Sequence, residues 1–225
     1  MKTSAVKQDE LYEYEPLTDN QKIAFDSWDD GDNLALVGTA GTGKTFLAMY
    51  LAMETVTDRQ APQEKITIFR SVVPTREMGF LPGSVEEKKE VFETPYKAIV
   101  EEVLGGDQPY KRMVRCNQLE FLTTSFIRGI TIDNSVVIVD EMQNLNFHEL
   151  DSVMTRIGNN CRVIFAGDYL QSDFKEGGER DGAVKFMRIV DQLKDFTTVQ
   201  FGWDDIVRSD FLRDYIMTKE MLGMR

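Results

Sequence analysis

Cysteine, histidine, long apolar runs and excess positive charge are all scarce in this chain of 225 residues, and each shortage removes a class of protein. Cys116 and Cys161 are the only cysteines, so there is no disulfide framework, and neither has a companion at zinc-ligand spacing. That usage points to a reducing cytoplasm. Apolar runs such as Val136 to Val139 fall far short of a membrane span, and the first 15 residues hold no apolar core of a secretory signal. With 26 basic against 38 acidic residues the net charge is −12, which excludes a protein that coats nucleic acid with a globally basic surface. A local basic channel stays open. A chain of this length buries roughly 70–75% of its unfolded surface and needs no structural metal to hold a core.

What is present alternates between β-branched runs and helical patterns. Strands are expected at 33–37, 65–69, 119–123, 135–139, 162–166 and 197–201. Helices are expected from a Thr18 or Asp19 cap, over 44–57, from Ser84 to Val103 past Pro95, over 148–157 and 183–193, and from Asp210 onward. Alternation of this kind predicts an α/β fold, a mainly parallel sheet flanked by helices with right-handed crossovers. Residues 1–16, with Gln8, Asp9, Glu10, Glu13 and Glu15, read as a flexible acidic arm, and 17–225 as one domain.

Gly38-Thr39-Ala40-Gly41-Thr42-Gly43-Lys44-Thr45 fits G-x-x-x-x-G-K-[ST] without a mismatch. Chance produces this pattern in about one chain per hundred of this length, and here a strand precedes it and a helix follows. Glycines let successive N–H groups turn inward on phosphate oxygens, and the helix adds its positive end. Lys44 is placed to reach the β- and γ-phosphates, and the Thr45 hydroxyl to ligate Mg²⁺. Asp140-Glu141 closes the most apolar strand, where ligands bind in parallel sheets: Asp140 for the Mg²⁺ shell, Glu141 to polarise the attacking water. Gly167-Asp168-Tyr169-Leu170-Gln171 follows a further strand. Gln171 is expected to sense the γ-phosphate through its amide, with Asp168 holding the turn; plain turn chemistry is the alternative.

Together these segments resemble the PhoH family of ATPases, itself similar to the motor core of superfamily 1 helicases, from about residue 17 to residue 215. Leu17-Thr-Asp-Asn-Gln21 resembles the Q-motif, which implies that Gln21 reads the adenine edge. Gly79-Phe-Leu-Pro-Gly83 is similar to the most family-specific loop. Ile127-Arg-Gly-Ile-Thr131 with Asp140-Glu-Met-Gln-Asn144 looks like the Walker B region, with Met142 where alanine is usual. Thr155-Arg-Ile-Gly158 also matches. Asp204-Asp-Ile-Val-Arg208 resembles the motif whose arginine serves as an arginine finger; the alternative for Arg208 is a surface salt bridge with Asp204 or Asp205. Between Arg70 and Gly79 the match is loose, so no role passes to Arg76 or Glu77.

The resemblance implies a single RecA-like P-loop NTPase domain, a short phage-type member of the family without an RNA-binding extension or nuclease domain. It implies ATP and Mg²⁺ as cofactors, RNA or another single-stranded nucleic acid as a partner, and a motor or remodelling role. Superfamily 1 helicases place ATP between two such domains, so one domain implies a homo-oligomer, a hexameric ring with Arg208 acting in trans. Two other functions compete: a nucleotide-regulated interaction protein that hydrolyses slowly, and a P-loop kinase with a small acceptor. Lys111-Arg112 with Arg115 and Tyr110 is a local basic cluster, read either as a nucleic-acid contact or as a solvated face. His148 is expected at a cap or the surface, and Trp28 and Trp203 in packing or flanking the nucleotide pocket.

Overall fold

The computed structural model describes residues 4–71, 85–123, 127, 129–168 and 180–223. Helix α1 (Asp19–Asp29) leads into β1 (Asn33–Gly38), α2 (Lys44–Thr57) and β2 (Lys65–Arg70). Then come α3 (Val85–Leu104), α4 (Pro109–Arg115), β3 (Leu119–Thr123), β4 (Ser135–Asp140) and α5 (Phe147–Met154). β5 (Arg162–Gly167), α6 (Arg180–Val190), β6 (Phe196–Phe201) and α7 (Asp210–Met221) complete the order.

The strands form one sheet in the order β3-β2-β4-β5-β1-β6, and every pairing is parallel. Successive side chains of a strand point to opposite faces, so continuous apolar runs feed two cores. Leu34, Leu36, Ile66, Ile68, Val136 and Ile138 pack towards α1, α2, α3 and α4. Ala35, Val37, Val137, Val139, Val163 and Phe165 pack towards α5 and α6. Among the described residues no helix is long and apolar enough to cross a membrane.

Several strands run one residue past the apolar run that announces them, to Gly38, Arg70, Asp140 and Gly167. Polar and glycine residues end a hydrophobic pattern, but the ladder continues because neighbours supply partners: Gly38 pairs with Phe201 and Arg70 with Asp140. Gly38 sits at φ 120°, and a Cβ there would collide with the Phe201 carbonyl oxygen. Gly38→Ala is therefore expected to destabilise the fold by at least about 3 kcal/mol in a denaturant titration, through overlap and positive φ together.

The acidic arm departs from expectation. Residues 4–16 are docked rather than loose. Val6 is buried and exchanges two hydrogen bonds with the Gln118 amide (2.6 and 2.9 Å). Arg112 on α4 grips Glu10 through both nitrogens and donates to the Ser4 and Ala5 carbonyls. Further along, Tyr12 N–H reaches the Val103 carbonyl and Tyr14 N–H the Tyr50 hydroxyl. Of the arm's acids, Glu10 thus serves as a partner while Asp9, Glu13 and Glu15 stay exposed, and the cluster at 111–115 spends Arg112 on holding this arm.

Candidate functional site

β1 ends in a tight loop whose curvature the glycines permit. Gly41 and Gly43 lie at φ 78° and 82°, in the left-handed region. Inside the turn the Thr42 hydroxyl donates to the Thr39 carbonyl at 3.0 Å. α2 begins through Gly43 with no side-chain cap, so its leading N–H groups remain available to an anion. The Lys44 ammonium folds over the loop, donating to the carbonyls of Gly38 (2.8 Å) and Thr39 (2.6 Å). Burial lowers its pKa from the ordinary lysine value, and the carboxylates of Asp168, Glu141 and Asp140 pull in the other direction. Those acids and the loop line one cavity of about 930 Å³.

β4 delivers the acids. Asp140 ends the strand, and its Oδ1 accepts from the Thr45 hydroxyl at 3.0 Å, joining residues 95 positions apart. Lys44 and Asp140 are thus on the same side of the molecule. One hydroxyl and one carboxylate are hard oxygen donors of the kind Mg²⁺ takes beside phosphate oxygens and water. Two protein donors leave most of an octahedral shell to phosphate oxygens and water, so the pair suits a cation shared with phosphate.

Glu141 sits just beyond, at φ 52° and ψ 43°. A non-glycine residue in that region carries about 1 kcal/mol of strain, which the following turn over Met142–Asn144 sustains. Gln143 holds the result. Its amide nitrogen donates to Glu141 Oε2 and its oxygen accepts from the Asp168 N–H at 3.1 Å. A side chain at Gly167 would strike that same Gln143 oxygen, so the bare tip of β5 is what admits the bridge. Burial, then the neighbouring Asp140, push the Glu141 carboxyl above its ordinary pKa; Arg70, Gln143 and Lys44 act against this.

The family model for PhoH-like proteins matches residues 13–219. The chain belongs to the PhoH family. A PhoH-like protein of Mycobacterium leprae is 29% identical over 203 residues, covering 89% of this chain and 57% of its own length. Protein PhoH2 of Thermobispora bispora is 34% identical over 181 residues, 77% of this chain and 40% of its own. The chain spans about half the length of the curated relatives it matches. Among solved structures, the large terminase from a thermophilic bacteriophage aligns with a TM-score of 0.51 at 14% identity, over 89% of this chain and 50% of that one. That likeness is one of fold. The chain is a P-loop NTPase of RecA-like architecture, with β5 standing between the strand of the phosphate loop and the strand of the acids.

Two further expected site residues of this PhoH domain stand against the loop. Gln21 is buried, with its amide nitrogen 3.2 Å from the Thr42 carbonyl and its oxygen accepting from the Leu17 N–H at 2.8 Å. Arg208 follows Val207, whose N–H donates to the Gly41 carbonyl, and its Cγ lies 3.3 Å from where a Gly41 Cβ would stand. It lines the same cavity as its own chain's loop. Neither candidate salt-bridge partner is engaged with it: Asp204 is 3.6 Å from Arg213, and Asp205 accepts from Asn20 and the Gly202 N–H, both at 2.8 Å. Gln171 and Gly79–Gly83 lie outside the described residues. His148 is exposed one residue inside α5, whose cap is Asn146. Neither tryptophan lines the cavity; Trp28 packs beneath Arg162 and bonds Thr55, and Trp203 bonds Glu220.

Sequence reasoning gave no site role to Gln143, Tyr96 or Arg70, and offered Asp205 only as a salt-bridge partner. Gln143 was findable, being two residues past the acidic pair on a turn. The actual partners of Asp205 were not readable, since Thr18 and Asn20 are about 185 residues away. Burial alone would raise its pKa, but hydrogen bonds from Thr18, Asn20 and Gly202 prevail and lower it. A lowered carboxyl contributes stability above its ordinary pKa and loses it as pH falls through the folded value. Asp205→Ala is expected to cost about 2–3 kcal/mol at pH 7, and the gap to wild type should close as pH drops below the ordinary carboxylate range. Denaturant titrations at several pH values check this.

Proposed function

We propose that this chain hydrolyses ATP with Mg²⁺ and that hydrolysis drives remodelling of a single-stranded nucleic acid, RNA in the first instance. The observation that carries the chemical half is the Thr45–Asp140 hydrogen bond, which joins the start of α2, just after the phosphate loop, to the acidic strand end in the lining of one cavity. Loop N–H groups and the leading turn of α2 would receive the triphosphate, and Lys44 would exchange its carbonyl partners for β- and γ-phosphate oxygens. Thr45 and Asp140 would hold Mg²⁺, which when bound neutralises charge on the phosphate oxygens. Glu141, held by Gln143, orients water and accepts its proton for in-line attack. Arg208 offsets charge developing in the transition state. Tyr14 stands edge-on to Phe46 at 5.0 Å, and both line the cavity together with Gln21, an aromatic surface suited to the base.

Arg208 beside its own loop supports action within one chain. In this the proposal departs from the expectation of a hexameric ring that supplies the arginine in trans. An acidic surface and the use of Arg112 in the arm favour a second reading, an ATP-regulated interaction protein with slow turnover. Phosphate release with Mg²⁺, with excess EDTA, and with or without single-stranded RNA tests both. Release that needs Mg²⁺ and rises at least about tenfold with RNA supports the remodeller. Mg²⁺-dependent release indifferent to RNA supports the interaction protein, and absence of release overturns both.

A further inference from the structure

The Asp140 carboxylate is 2% exposed, yet the phosphate loop occupies only one of its oxygens. The other, Oδ2, accepts from the Tyr96 phenol at 2.7 Å. Tyr96 is fully buried on α3 against Phe121, and the charge of Arg70 is near enough to act on its hydroxyl. Arg70 ends β2 directly beside Asp140 in the ladder, and its guanidinium lies 5.9 Å from the centre of the Phe92 ring. Phe92 and Tyr96 are four residues apart, on one face of α3. One helix face therefore holds both members of a strand-end pair, the arginine through a ring and the aspartate through a hydroxyl.

The choice of a tyrosine has a physical consequence. A guanidinium paired directly with Asp140 would tend to take both oxygens in a fork and set a fixed positive charge where a divalent cation must come. A phenol is neutral and donates a single hydrogen bond. Donating to Oδ2 while Thr45 donates to Oδ1, it holds the carboxylate from its second side, satisfies one lone pair and leaves the negative charge available. We infer that Tyr96 is a positioning residue for the divalent cation, acting through Asp140. The inference rests on the nucleotide-site reading above and extends it to α3, a helix outside the recognised motifs. Outer-shell partners of metal ligands cost about 10–100-fold in metal affinity when removed.

The test is a binding measurement on the whole chain with a fluorescent, non-hydrolysable ATP analogue, in EDTA and in saturating Mg²⁺. The ratio of the two affinities reads what the metal adds. Tyr96→Phe removes only the hydroxyl; it is expected to leave the EDTA affinity within about twofold and to shrink the ratio about tenfold. Phe121→Leu thins the packing behind Tyr96 and keeps the hydroxyl, so it should melt earlier with an unchanged ratio. If Tyr96→Phe does not fold, Tyr96→Met, which also lacks the hydroxyl and is flexible enough to fill the site, carries the test, with the ratio falling about tenfold. A wild-type ratio in either folded hydroxyl-less variant overturns this inference alone. A wild-type chain whose binding ignores Mg²⁺ overturns the ATPase reading and this inference with it.

Discussion

Replacing Arg208 by alanine is expected to lower the ATP turnover rate about 10³-fold or more, the lower end of what a transition-state arginine contributes. KM should change only a few-fold, because charge on the transferring phosphoryl group spreads over its oxygens mainly at the transition state. The geometry separates two ways of obtaining the effect. The Val207 N–H is tied to the Gly41 carbonyl and the Arg208 stem rests on the same glycine, so the arginine is anchored to the loop it would serve. The Asp205 bonds to Asn20 and Gly202 brace the segment from behind. Mixing Arg208→Ala with Lys44→Ala chains decides the matter. If Arg208 works within its own chain, the mixture stays inactive, since every chain lacks one necessary group. Restored turnover in mixed assemblies would assign the arginine to a neighbour and return a ring to the mechanism.

The phosphate loop, the order of elements and the Asp140-Glu141 pair were legible because each is local. A strand of β-branched residues, a glycine turn and a helix occupy consecutive positions, and periodicity reports them directly. The strand ends were less legible, because Arg70 and Gly167 break an apolar pattern that the backbone ladder carries on. Contacts between distant segments that no motif marks were not legible. Val6 meets Gln118 across 112 positions and Arg112 meets Glu10 across 102, so an arm rich in acids looked loose although Glu10 and several backbone groups had partners. Tyr96 illustrates the same limit within the site. In a charged helix containing Pro95 it reads as one more core aromatic, and only the placement of α3 against β4 gives its hydroxyl an aspartate to address.

Glu141→Gln is the second large effect: turnover should fall about 10²–10⁴-fold, the usual contribution of a positioned base, while affinity for magnesium nucleotide stays near wild type. The substitution is close to isosteric, and an amide oxygen at that place still accepts from Gln143, so the strained turn at 141 and the bridge to the Asp168 N–H survive. What disappears is a basic oxygen for the water proton. Gln143→Leu removes the bridge and keeps the base. It leaves Glu141 free to rotate and withdraws the Gln143 acceptor from the Asp168 N–H, so a smaller loss, about tenfold, is expected from misorientation alone. The order of these losses carries the mechanism. Full phosphate release from Glu141→Gln would move the water-activating role elsewhere and reopen the kinase alternative, in which the acceptor hydroxyl rather than water meets the γ-phosphate. A Gln143→Leu loss as deep as that of Glu141→Gln would mean that orientation, rather than proton acceptance, sets the barrier at the end of β4.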